Sequence, residues 1–205
     1  MTATTSSSFL SFSSPSPRRC GKSPISQLLF AVETFHDAYI MDALAIQKQH
    51  GIPCSLEMVM ATMSHDWNRY EALEKGYCMV ILRDRHDTRE ALTLRVMMFV
   101  RNDFYRTRIM KLLYVPACVG TVAEMYTDDH FRANAIDIIA RERGAECGEE
   151  QCVAALQTFR DETEAERAVK SMTEHGCRLP SQEILIDLRD RRMDARQMWR
   201  QRCFN

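Results

Sequence analysis

Glycine and tryptophan are scarce in this 205-residue chain, with seven and two copies. There is no Gly-rich phosphate loop, no Gly-x-Ser-x-Gly and no paired-histidine metal signature, so no motif points to nucleotide hydrolysis, serine catalysis or metalloprotease chemistry. An excess of either charge is also missing: 27 Lys and Arg face 28 Asp and Glu, a formal net charge of -1. No global positive field draws the chain to nucleic acid, so such binding would have to come from local patches. No apolar run approaches the roughly 20 residues that span a bilayer; Cys78–Leu82 and Val96–Val100 are only strand-length. The eight cysteines include no Cys-x-x-Cys pair, although Cys147 and Cys152 lie close in sequence and His175 is near Cys177. Scattered reduced thiols in a cytosolic or nuclear compartment fit this spacing better than a zinc site, and no metal or cofactor is expected.

The first acidic residue is Glu33. Residues 1–26 are rich in Ser, Thr and Pro and carry Arg18, Arg19 and Lys22. That composition suits a disordered arm, and it is also compatible with a mitochondrial transit peptide. Pro15 and Pro17 weaken the second reading by interrupting any amphipathic helix.

From residue 27 the patterning becomes regular. Apolar Ala38, Tyr39, Met41, Ala45 and Ile46 recur at helical spacing over 35–49, and Gly51 and Pro53 stop the run. Ser55 is a candidate cap for a helix over 55–63, and Asp66 opens another that ends at Gly76. Residues 77–82 read as a strand, Arg85-His86-Asp87 as part of a solvated turn, and Leu92, Leu94, Val96 and Met98 alternate as in a second strand. Helices followed by a β-hairpin predict a winged-helix domain over 27–101. Residues 102–108 read as a polar connector.

The second half predicts strands at 109–117, 135–141, 152–159 and 183–188, with helices at 122–132 and 162–175, the latter turning Ala165, Ala168, Val169 and Met172 inward. The order βαββαβ gives a four-stranded antiparallel sheet with two helices on one face, in a ferredoxin-like α+β fold. Residues 189–205 add a basic C-terminal helix with six arginines and two aspartates around Trp199. An acyl-CoA N-acetyltransferase-like reading of 109–175 is the enzyme alternative, but Ala117–Val122 supplies one glycine and no basic residue for a pyrophosphate.

Leu113-Tyr114-Val115 resembles the short aromatic signature of the first strand of RNA-recognition motifs, and Thr158–Met172 resembles that family's third-strand end and second helix. Upstream, Gln27-Leu28-Leu29-Phe30, Ser55-Leu56-Glu57-Met58 and Tyr70–Gly76 resemble, in order, the opening segment, a turn and the last helix of the La motif. The whole of 27–188 therefore resembles the module of La and La-related proteins: a winged helix followed by an RNA-recognition motif.

The resemblance implies a non-catalytic protein that binds or chaperones a specific non-coding RNA within a ribonucleoprotein, nuclear or cytoplasmic and not membrane-bound. It implies that Gln27, Phe30 and Asp42 meet the RNA end, that Tyr114 faces RNA, and that Arg196, Trp199, Arg200 and Arg202 grip it from an added helix. Ala31, Leu44, Ala154 and Leu156 stand where family members carry aromatics. That departure motivates a second expectation: a scaffold subunit of a larger assembly, bound to protein and without 3′-oligouridine binding.

Overall fold

Ser55 caps a helix as its sequence suggests, its hydroxyl accepting from the Met58 N–H at 3.2 Å. The same device recurs along the chain. Thr88 accepts from Ala91 N–H, Asn102 from Phe104, Asp128 from His130 and Phe131, and Asp161 from Glu164. Each satisfies a backbone donor that a helix start leaves unpaired. In this computed structural model, which describes residues 24–78 and 88–204, the elements are all helical. They are α1 (Pro24–Gln49), α2 (Leu56–Thr62), α3 (Asp66–Glu74), α4 (Arg89–Phe99), α5 (Asp103–Leu113), α6 (Val119–Met125), α7 (Asp129–Arg143), α8 (Glu149–Gln157), α9 (Glu162–Glu174) and α10 (Gln182–Phe204), with a 3-10 turn at Gly144–Glu146.

The predicted α+β fold is therefore overturned. No strand occurs among the described residues, so neither the winged-helix wing nor the sheet of an RNA-recognition motif is present there. The run 92–100 lies in α4 and its cap, where Leu92, Thr93, Val96, Met97 and Val100 are buried. That is the i, i+1, i+4, i+5 period of a helix; the apparent alternation came from half-exposed Leu94 and exposed Met98. Residues 135–141 lie within α7, with Ala135, Ile136, Ile139 and Ala140 buried in the same period. Residues 152–157 belong to α8 and 183–188 to α10. Residues 109–117 straddle the end of α5, and the helix expected at 122–132 is broken by the Asp128 cap. The expected connector 102–108 is the cap and first turns of α5. Short apolar runs carry no length to tell strand from helix, and packing decided them.

Other expectations stand. Helix α9 matches 162–175, with Ala165, Ala168 and Met172 buried and Val169 half-buried. Helices α2 and α3 lie where expected. Gly76 ends α3 at φ +62, a left-handed geometry that a Cβ would strain. The arm expected over 1–26 is helical from Pro24; the rest of it, residues 79–82 and the turn Arg85-His86-Asp87 lie outside the described residues.

The helices form two layers. One runs α2, α4, α6, α8, each packed on the next; the other runs α1, α3, α5, α7, α9 and ends on α10. Helices α2 and α3, α4 and α5, α6 and α7, and α8 and α9 also pack as pairs across the layers. This is a stack of helix pairs in which each unit buries its apolar side against its neighbours. Equivalent positions confirm the repeat: Met60, Met97, Ala123 and Leu156 are buried, as are Met63, Val100, Tyr126 and Phe159, and Ala72, Ile109, Ala135 and Ala168. At one contact, Gly120 of α6 comes so near α8 that an added Cβ would lie 2.9 Å from Ala154 Cβ.

Candidate functional site

The stack is stitched by a polar ladder. Within a pair, an arginine in the second helix closes the first. Arg69 Nε donates to Met60 O at 3.0 Å and Nη2 to Met63 O, while Nη1 meets Asp66 at 2.7 Å. Arg106 repeats this on Met97 O, Val100 O and Asp103, and Arg132 on Ala123 O, Tyr126 O and Asp129. These guanidiniums add donors to carbonyls at the ends of α2, α4 and α6, where Met97 O and Ala123 O also accept the Val100 and Tyr126 N–H.

Between pairs, the aspartate's other oxygen accepts two N–H groups just before the next second-layer helix. Asp66 Oδ2 accepts from Arg101 and Asn102 at 2.9 and 2.7 Å, and Asp103 Oδ2 from Thr127 and Asp128, both at 2.9 Å. Asp129 Oδ2 accepts from Arg160 and Asp161, and buried Asp37 of α1 accepts from Ser64 and His65 at 2.8 Å each. Burial works to raise the Asp37 carboxyl; the Ser64 N–H, the Asn68 amide and His65 outweigh it and hold it below its ordinary value. The guanidiniums of Arg106 and Arg132 also lie over Tyr126 and Phe159 of the following pair, 5.6 and 5.4 Å from the ring centroids.

The ladder fixes the turns that join first-layer to second-layer helices, and these turns carry the best candidate site. A groove of about 650 Å³ lies between the turns of the α2/α3 and α4/α5 pairs, lined by Ser64, His65, Trp67, Met98, Phe99, Arg101 and Tyr105 among others. Its apolar walls face solvent: Met98 is 73% exposed, Trp67 45% and Phe99 38%. Aromatic rings continue from it along the stack. Tyr105 lies 6.0 Å from Tyr70 and 5.2 Å from Phe104, and Phe104 lies 6.5 Å from Phe131. Arg108 lies over both Tyr70 and Phe104, at 4.8 and 5.3 Å. The result is an aromatic ribbon across α3, α5 and α7 in which Phe104 is exposed and Tyr70, Tyr105 and Phe131 are half-buried, bordered by exposed Arg101 and Arg108. Lone exposed apolar side chains are ordinary; a contiguous run of them on a rigid frame is the mark of a contact surface.

The predicted site residues do not converge here. Tyr114 caps α5 and is held by Arg143, which donates from Nη1 to the hydroxyl and lies 4.9 Å from the ring centroid. With no sheet among the described residues, the platform on which Tyr114 was to face RNA is absent. Gln27, Phe30 and Asp42 all belong to α1; Asp42 is exposed, and the side chains of Gln27 and Phe30 lie outside the described residues. Arg196, Trp199, Arg200 and Arg202 belong to α10, and their side chains also lie outside the described residues. Helices α1 and α10 sit at opposite ends of the second layer, so the two predicted groups form no common site.

The groove is not legible in the sequence because it exists only once the helix pairs stack. The signal of its frame was present as Asp66-x-x-Arg69, Asp103-x-x-Arg106 and Asp129-x-x-Arg132, each with apolar residues three and six positions before the aspartate. Trp67 carries no such signal, because a large aromatic is more often core than contact surface.

The Cys177 thiol interacts with those of both Cys147 and Cys152. Burial first, and the neighbouring Cys177 second, push Cys147 and Cys152 up to about 12. They are protonated packing residues at neutral pH, and no metal-binding group of three or more ligands occurs among the described residues. Comparison with family models, with curated proteins and with solved structures finds no match for this chain.

Proposed function

We propose that this chain is a non-catalytic helical-repeat protein that holds an apolar, acid-flanked segment of a protein partner in the groove around Trp67, Met98, Phe99 and Tyr105. The observation that carries the reading is the run of exposed Trp67, Met98, Phe99 and Phe104 at the groove, fixed on an Asp–Arg ladder. Stacked helix pairs present extended surfaces suited to chain-like ligands. Trp, Tyr and Arg supply most of the energy at protein contacts, and Met adapts its shape to the segment it meets. Arg101 and Arg108 at the border suit acidic side chains beside an apolar anchor.

RNA is the weaker occupant. The ladder guanidiniums are spent on carbonyls and aspartates, which leaves few cations near the groove to neutralise phosphates. Met98, the most exposed apolar wall residue, offers no stacking plane.

A photo-crosslinking residue placed at Met98 in the full chain, with its adducts examined before and after ribonuclease, tests this directly. A discrete peptide adduct that survives ribonuclease supports the proposal. A peptide of that sequence should then bind with a change in Trp67 fluorescence in a Trp199→Phe background. Trp67→Ala should weaken it by about 2 kcal/mol, roughly thirtyfold in Kd. An adduct composed of RNA, or none above the level from exposed Lys170, would overturn it.

A further inference from the structure

Terminal units of a helix stack ordinarily turn a polar side outward. Helix α1 does the opposite. Leu28, Val32, Phe35, Tyr39 and Ile46 are 56–73% exposed, and with Asp42 they follow one another at spacings of four, three, four, three and four residues. That 3.5-residue period is the seam of a coiled coil. The opposite side of α1, carrying Asp37, Ile40 and Leu44, packs into the stack, so the seam points away from it. Beside the seam, Ala31, Ala38 and Ala45 recur every seventh residue.

We propose that α1 is a self-association helix, pairing antiparallel with α1 of a second copy. In that direction the seam sets apolar residues against one another except that Val32 faces Asp42, and no two like charges meet in it. Centred near Asp37, antiparallel pairing sets Leu28 against Ile46 and Phe35 against Tyr39 of the other copy. The flanking alanines then meet as Ala31 with Ala45, and Ala38 with its own copy on the two-fold axis. Small residues there let the backbones approach closely, and no like charges are brought together along that flank. Parallel pairing would instead set Asp42 against Asp42 in the seam, which like-charge repulsion disfavours. The five exposed side chains offer on the order of 600 Å² per copy, given about 150–250 Å² for each aromatic. With the alanine flank this approaches the roughly 800 Å² per partner of a stable interface. The pairing is isologous and closes at two copies. It lies at the end of the stack and leaves the Trp67 groove open.

Sedimentation of the full chain, beside Phe35→Glu/Tyr39→Glu, tests the proposal. Both positions are exposed, so the double variant should keep its helical circular dichroism. The expected result is a wild-type dimer at micromolar concentration and a monomeric double variant. Direction is read by oxidative crosslinking against the wild-type background of native thiols. Ala38→Cys alone should give a covalent dimer, and Ala31→Cys should do so only when mixed with Ala45→Cys. A wild-type chain that stays monomeric, with the seam covered by its own residues 1–23 or by another protein, would overturn the proposal. So would a dimer that survives the double variant, or an Ala31→Cys crosslink as efficient as that of Ala38→Cys. None of these outcomes bears on the groove, whose residues lie on other helices.

Discussion

Arg192 donates from Nε to Glu162 Oε2 at 2.7 Å, reaching back from α10 to the first turn of α9. Its Nη1 donates to Leu156 O at 3.2 Å. Glu162 and Leu156 are the counterparts of Asp129 and Ala123 one pair earlier, both bonded by Arg132. In the α8/α9 pair the arginine position is Ala165, fully buried. The guanidinium missing from the last pair is thus supplied from the capping helix.

That substitution can be moved back. Arg192→Ala should loosen α9 and α10, seen as faster amide exchange in both helices while α3 to α7 keep their protection. Adding Ala165→Arg to Arg192→Ala should recover part of the protection, because the new side chain can enter the space that Arg192 vacates. In the otherwise wild-type chain Ala165→Arg should destabilise, since that space is filled.

Arg106→Ala should cost about 3 kcal/mol or more in urea unfolding. It takes the charge partner from buried Asp103 and a donor from the carbonyls of Met97, Val100 and Met125 together. Arg106→Lys should recover little, because an ammonium cannot span the four acceptors, Met97 O, Val100 O, Met125 O and Asp103, that the planar fork reaches. Equal stability of Arg106→Lys and wild type would remove the ladder from the account of the fold.

Asp37 makes a pH prediction. Its folded carboxyl ionises below the ordinary carboxylate value, so the charge stabilises the fold at pH above about 4. The contribution is lost as pH falls through the lowered folded value. Stability of the wild type should therefore drop in acid more steeply than that of Asp37→Asn, the two curves converging at low pH. Near neutrality Asp37→Asn should be the weaker protein, because one amide oxygen cannot accept all that the two carboxylate oxygens take from Ser64, His65 and Asn68.

Cys147 and Cys152 should resist alkylation in the folded protein at pH 8 and react once it is unfolded, as followed by peptide mass spectrometry. Burial keeps both thiols neutral, so folding is favoured fully below the unfolded thiol value of about 8.5. That contribution fades as pH rises toward the folded value of about 12. Rapid labelling of Cys152 in the native state would contradict the packing.

The sequence by itself determined the local punctuation. Ser55 and Gly76 mark helix boundaries through a side-chain acceptor and left-handed backbone, which need no distant partner. The same holds for Glu162–Glu174, whose apolar residues are spaced widely enough among charges to read as one helical side. Segments such as 92–100 and 135–141 were ambiguous, because a short run that is apolar on most sides has no clear period. Their helical state comes from packing between two layers, which buries i, i+1, i+4 and i+5 together. Tertiary structure alone decided the site. The ladder aspartates lie 29, 37, 26 and 33 residues apart from Asp37 through Glu162, an uneven spacing that hides the repeat in the chain. Stacking brings their turns into line, and only then does Trp67 join Phe99 and Tyr105, more than thirty residues further along the sequence, in one groove.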